Sequence, residues 1–334
     1  MKVGITYDLR DDYIAQGCSV EEAAEFDSAE TICAIESTLE SLGYRTERIG
    51  HVRALVAALA AGKRWDIVFN IAEGRFGSGR EAQVPALLDA FQIPYTFSDP
   101  LTLCATLDKS VAKLMVREAG VPTPDFTVCY SERDLRQVGL PLPLFVKPLS
   151  GGTGMGVTPA SRITSRDQLV AVGTKLIKHF DQPVLVESYL PGREFTVGVA
   201  GTGMNARCLA VMEVILKKGA DDSVYSFRNK EECESLVEYR LVQGELAEQA
   251  AWTAVTAYRA LRCLDAGRVD LRADPAGTIA FIEVNPLAGL HPTHSDLPIL
   301  CSLAGIEYRE ILDTIMGSAL HRYGMHRPAA RHAG

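Results

Sequence analysis

Residues 144–157, LFVKPLSGGTGMGV, constrain the fold most: a short apolar strand ends in a lysine and runs into a loop with four glycines. Glycines let backbone N–H groups approach a phosphate closely, and a lysine beside them supplies charge. Two familiar phosphate grips are excluded. A dinucleotide fingerprint needs G-x-G-x-x-G opening a helix, and a P-loop needs G-x-x-x-x-G-K followed by Ser or Thr. Here Gly156 leads into Val157-Thr158-Pro159, and Pro159 disfavours a helix through it. The segment reads as strand, glycine loop, then strand or turn: a flap over phosphates, with a ligand-free glycine-rich hairpin as the alternative.

A flap needs a body, and 334 residues suffice for two or three domains with substantial cores. Hydrophobic content of 47% and charged content of 23% are those of a soluble globular chain. The net charge of −8 argues against nucleic acid as a general partner. No apolar run approaches membrane length, and MKVGITYD reads as an opening strand rather than a signal peptide. The eight cysteines (18, 33, 104, 129, 208, 233, 263, 301) contain no C-x-x-C pair, which suits reduced thiols in a cytoplasm better than disulfides or zinc.

Lys2 to Tyr7 alternates as a strand, and Ile32, Ile35, Leu39 and Leu42 recur at helical spacing behind a cap formed by Asp27 and Glu30. A helix (52–61), a buried strand (66–71), a helix (83–91) and a strand (93–97) follow, giving a small parallel α/β unit. NIAEGRFGSGREAQ, residues 70–83, leaves the carboxyl end of one of its strands, where ligands of open α/β sheets bind. One helix over 106–119 carries Asp108-Lys109, and strands at 126–129, 144–147 and 183–187 enclose helices at 131–138 and 164–180. The polar stretch 221–236 reads as a long functional loop, 245–261 as a helix, and the basic residues from His321 as a frayed tail.

The segment GRVDLRADPAGTIAFIEVN (267–285) forms a hairpin turning at Asp274–Gly277. A four-residue loop pairs Ala273 with Thr278, Asp270 with Phe281 and Arg268 with Glu283, so Arg268, Asp270, Glu283 and Asn285 share a face with Phe281 and Ile279. Three oxygen-bearing side chains together are what Mg²⁺ asks for when phosphate and water complete its shell. The alternative is a solvent-facing strand pair bridged by Arg268 and Glu283.

D-K (108–109), V-K-P (146–148), the glycine loop, E-S-Y-L-P-G-R-E-F-T-V (187–197), G-R-V-D (267–270) and E-V-N-P (283–286) together resemble the ATP-grasp superfamily, and within it the D-alanine–D-alanine ligases, from the first strand to about residue 315. The resemblance implies an α/β and α+β fold: an N-terminal α/β domain (1–104), a central subdomain with the lid (105–188), a C-terminal subdomain with the metal hairpin (189–320), and a tail (321–334). It implies that Lys109, Lys147 and the loop residues Ser150, Gly151, Gly152, Gly154 and Gly156 hold the ATP phosphates. Glu187, Ser188 and Leu190 match the adenine contacts, Glu194 the ribose contact, Asp270, Glu283 and Asn285 the Mg²⁺ ligands, and Arg268 the arginine on the transferred phosphate. Thr153 and Lys230 match catalytic loop positions. The implied reaction joins two small amino acids through an acyl phosphate, in an enzyme that is often a homodimer.

The amino-acid positions depart from the pattern. Glu73-Gly74 stands where the ligases have His-Gly, Thr153-Gly154 where they have serines, and Glu231 where a tyrosine contacts the loop. PLAGLHPTHSDLP keeps Gly289 and Ser295, replaces an apolar residue with Asp296, and adds His291 and His294. The glutamate expected at the first substrate's amino group falls among Glu22, Glu25 and Glu30. Glu73, Glu231 and Asp296 motivate a different, more polar amino acid as the alternative substrate.

Overall fold

The computed structural model describes residues 1–221 and 224–327. Three sheets follow one another along the chain. The first is parallel, β2-β1-β3, from β1 (Lys2–Thr6), β2 (Arg45–Arg48) and β3 (Ile67–Asn70). Val3, Ile5, Ile67 and Phe69 are fully buried, and the helix Ala29–Ser41 covers them with Ile32, Ile35 and Leu39. Ser28, not the expected Asp27, caps that helix by accepting from Thr31 N. The expected strand at 93–97 is reduced to a single bridge, Val68 to Tyr95.

The single helix expected over 106–119 is two, Pro100–Leu107 and Lys109–Glu118. Asp108 sits extended between them, and its carboxylate accepts from Ser110 and Val111 N as the cap of the second. The second sheet is antiparallel, β4-β7-β5-β6, from β4 (Phe126–Cys129), β5 (Leu144–Pro148), β6 (Arg162–Ile163) and β7 (Val184–Ser188). The glycine loop leaves β5, passes through a 3₁₀ turn at Pro159–Ser161 and returns as the two-residue β6.

The third sheet runs β10-β9-β8-β11-β12, from β8 (Glu194–Ala200), β9 (Arg207–Leu216), β10 (Val237–Leu241), β11 (Ala266–Ala273) and β12 (Ile279–Asn285). The helix Glu245–Ala260 packs on it through Ala250, Ala254, Ala257 and Tyr258, all fully buried. The stretch expected as a long loop holds two short helices, Phe227–Glu231 and Cys233–Leu236; its residues 222 and 223 lie outside the described ones.

The start of the tail, expected to fray from His321, is tied down. The helix Tyr308–Arg322 carries Arg322 onto Asp265 at 2.8 Å and onto the Tyr95 and Phe97 carbonyls, and Arg327 reaches Asp313 at 2.8 Å. Residues 328–334 lie outside the described ones. Among the described residues no helix is long and apolar enough to cross a membrane, and all eight cysteines are free.

Candidate active site

The hairpin builds one wall, and its register differs from the expected one. Ala273 pairs with Ile279, so the turn holds five residues, and the ladder slips between Asp270 and Leu271 so that Ile282 is extra. Asp270 then faces Glu283 and Arg268 faces Asn285. The bulge turns Phe281 and Ile279 away from the acids into the core with Val269, Leu271 and Val284. The polar quartet is therefore cleaner than the sequence register allowed. Arg268 reaches Asp270 with Nε at 3.0 Å and Nη2 at 2.9 Å, Thr196 donates to Asp270 at 3.1 Å, and Asn285 Nδ2 lies 3.4 Å from it.

The facing wall comes from the second sheet. Glu187, at the end of β7, receives Lys147 of β5 at 3.0 Å and Lys113 at 2.8 Å. Lys113 sits one turn beyond Lys109 on the same helix and was not singled out from sequence; its i, i+4 spacing from Lys109 was the available signal. Burial depresses Lys113 to about 8 against the pull of Glu187. Burial opposes ionisation of Glu187 as well, but the two lysines outweigh it and hold the carboxyl below its usual range. Lys109 pairs with Glu283 at 3.5 Å, tying the two walls together. Burial would raise Glu283, yet Lys109, Lys147, Lys230 and Arg268 hold it well below the usual carboxylate range.

The glycine loop spans the gap. Gly156 lies at φ +71°, and a Cβ there would come within 2.7 Å of Phe180 and 2.9 Å of Pro148, so only glycine fits. Ser150 N donates to Gln182, Lys109 Nζ to the Gly151 carbonyl, Gly152 N to Glu25 and Gly156 N to Glu21. Lys109, Lys147, Gly151, Gly154, Glu187, Ser188, Leu190, Glu194, Asp270 and Glu283 line one cleft under this loop. Arg272 holds Glu194 at 3.2 Å.

A cavity of about 640 Å³ adjoins it, lined by Glu25, Glu73, Gly152, Thr153, Lys230, Glu231, Arg268, Asn285, Gly289, His291, Ser295 and Asp296. Among the three N-terminal candidates Glu25 faces both the loop and Arg80, at 2.7 Å, whereas Glu22 closes a local turn on Ser19 and Glu30 is an exposed partner of His291 at 3.4 Å. Glu73 is raised well above its usual range by burial and by Glu81 and Glu25. Burial moves Asp27 and Glu81 to about 7. Glu81, from the loop 70–83 expected at the ligand edge of the sheet, lines the cavity too, as does Asp27, read from sequence only as a cap; Arg10 and Tyr239 were missed, each being isolated in sequence from the motifs it joins.

Two antiparallel sheets closing on a lysine-lined and acid-lined cleft beneath a glycine loop define an ATP-grasp fold. The chain belongs to the D-alanine–D-alanine ligase family: the model of that family's C-terminal part, "D-ala D-ala ligase C-terminus", matches residues 115–317. A D-alanine–D-alanine ligase of Bordetella avium is 34% identical over 79% of this chain and 81% of its own length. The crystal structure of D-alanine–D-alanine ligase from Bacillus anthracis complexed with ATP superposes with a TM-score of 0.71 at 22% identity, covering 97% of this chain and 99% of that one. The VanG D-Ala:D-Ser ligase of Enterococcus faecalis also superposes with a TM-score of 0.71, at 21% identity over 95% and 99% of the two chains.

Proposed function

We propose that the chain is an ATP- and Mg²⁺-dependent carboxylate–amine ligase that activates the carboxylate of a small amino acid as an acyl phosphate and joins it to the amine of a second. The observation that carries this is the convergence, in one cleft, of Lys109, Lys147 and Glu187 with Asp270 and Glu283, on a hairpin whose Arg268 and Asn285 line the adjoining cavity.

In this reading Lys109, Lys147 and the loop amides from Ser150 to Gly156 hold the triphosphate, Glu187, Ser188 and Leu190 the adenine, and Glu194 the ribose. Preorganised cations are what phosphoryl transfer requires, because the protein's task is to position groups and neutralise charge. Arg268 serves the transferred phosphate, Thr153 and Lys230 close over it, and the lid excludes water that would hydrolyse the acyl phosphate. Asp270, Glu283 and Asn285 would hold Mg²⁺. Two carboxylates and an amide oxygen are hard donors, and Asn285 Oδ1 faces the loop, 3.9 Å from where a Cβ on Gly152 would lie. Bound there, Mg²⁺ supplies charge neutralisation for phosphate oxygens.

Glu25, Glu73, Glu231, Gly289, His291, Ser295 and Asp296 belong to the amino-acid site. Glu73, Glu231 and Asp296 favour a second reading, a ligase for a more polar amino acid. The domain limits 1–104, 105–188, 189–320 and 321–334, a cytoplasmic location and a homodimer are part of the same proposal. ADP release with ATP and Mg²⁺ across D- and L-amino acids tests it: stimulation by D-alanine with dipeptide recovered supports D-alanine as substrate, stimulation by another acid moves the assignment to that acid, and nucleotide binding without turnover on any acid refutes the enzyme.

A further inference from the structure

The ligase reading leaves the amine acceptor open, and the wall around Asp296 narrows it. Arg268 spends its guanidinium on the protein: Nε and Nη2 meet Asp270, and Nη1 meets Asp296 at 3.1 Å. Three of its five N–H groups are thereby engaged, and the Nε–Nη2 edge that would grip a substrate carboxylate in a bidentate pair is taken by Asp270. Asp296 is itself buried at the start of the helix Asp296–Leu303. The hydroxyls of Tyr225 and Tyr239, 2.8 Å apart, lie 3.4 and 3.3 Å from its Oδ1. The Ser295 hydroxyl accepts from His291 N at 3.0 Å, and Arg10 faces Glu231 at 3.8 Å. Lys230 packs over the Tyr225 ring, and its field bears on Glu194 and Glu283, toward the nucleotide cleft.

A free α-carboxylate entering here would find the two lining arginines taken up by Asp296 and Glu231, and would meet an excess of acids, with Glu234, Glu25, Glu73 and Glu81 in the same lining. Like charges brought together in a desolvated site are strongly disfavoured. Building on the ligase reading, we propose that the acceptor reaches this site with a net positive charge, as an amino acid bearing a second basic group or one whose carboxylate is masked, and that Asp296 selects it. The amine attacks in its neutral form. Its nitrogen lone pair forms the C–N bond at the acyl carbon, the bond from that carbon to the phosphate oxygen breaks with its electron pair on phosphate, and the displaced amine proton ends on the phosphate.

The test separates the two half-reactions. ATP, Mg²⁺, hydroxylamine and each of a panel of D- and L-amino acids are incubated with the full chain, and hydroxamate is measured, which reads carboxylate activation without the natural acceptor. The acid that scores is then paired with each enantiomer of alanine, alaninamide and 2,3-diaminopropionate, and kcat/KM for amide formation is followed by mass spectrometry. The charged acceptors are expected to exceed alanine by about tenfold or more, and Asp296→Asn and Asp296→Leu to shrink that ratio by a similar factor. Masking a carboxylate also lowers amine basicity, so the change on substitution carries the decision. Alanine preferred by the wild type, or a ratio unmoved in both variants, overturns the proposal. Absence of hydroxamate with every acid overturns the ligase reading itself and the proposal with it.

Discussion

Glu187 neutralises two buried lysines at once, which fixes how the cluster responds to substitution. In Glu187→Gln, Lys113 and Lys147 keep their positions but lose their shared counter-charge. Lys113 is fully buried and Lys147 is 5% exposed, so water compensates neither. At pH 7 Lys113, depressed to about 8, carries its proton beside Glu187; without that carboxylate burial pulls it lower still, so the variant must either bury an uncompensated ammonium group or give up the proton, and both are costs. Breaking a buried pair from one side costs about 3–5 kcal/mol, and that range applies here. Lys113→Met is milder: Glu187 keeps Lys147 at 3.0 Å, the two cations no longer repel, and the methionine stem refills the space, so a cost of about 1–2 kcal/mol is expected. Urea unfolding followed by the fluorescence of Trp65 and Trp252 measures both. The order Glu187→Gln well above Lys113→Met is the prediction. Equal costs, or a Glu187→Gln cost under about 1 kcal/mol, would refute the idea that one carboxylate balances two charges.

Lys147→Ala and Glu283→Ala are expected to lower kcat for ADP release by roughly 10²–10³ or more, and unchanged turnover in either would remove that residue from the site. The raised pKa of Glu81 has a definite sign: between the ordinary value of 4.5 and about 7 the folded chain holds a proton that the unfolded chain releases, so stability falls as pH rises through that window. Glu81→Gln should therefore unfold at higher urea than wild type at pH 8 by roughly 1–3 kcal/mol and match it near pH 4, and an unchanged pH slope would contradict this. Arg322→Ala strips Asp265, fully buried, of its cation and should cost about 3 kcal/mol, read as a lowered thermal midpoint; a shift within error would mean the terminal helix does not depend on that pair.

Much of the cleft beneath the glycine loop was legible because its parts are local signals. Lys147 and the glycines lie within ten residues of each other, and Asp270 and Glu283 are carried by one hairpin with a readable turn. The hairpin's register was not legible: a bulge at Ile282 is set by how Phe281 packs against Val269 and Leu271, and no turn residue announces it. Lys113 was not singled out because its partner Glu187 is 74 positions away and on another element. Asp27 looked like a helix cap because Ser28 beside it, with the same chemistry, took that role. The Arg80–Glu25 pair joins residues 55 apart that only the parallel sheet brings together. The cavity takes its lining from stretches far apart in the chain, so its expected members, Glu25, Glu73, Glu231, Gly289, His291, Ser295 and Asp296, could be named singly from sequence, while their mutual pairing could not.

Phosphorylation of an amino-acid carboxylate by ATP in the cleft between Lys147 and Glu283 would leave one direct isotopic signature. With the amino acid that best stimulates ADP release, labelled with ¹⁸O in its carboxylate, mass spectrometry of the inorganic phosphate formed with the acceptor decides the matter. One ¹⁸O per phosphate released is the expected result; unlabelled phosphate at full turnover would contradict acyl-phosphate chemistry in this site.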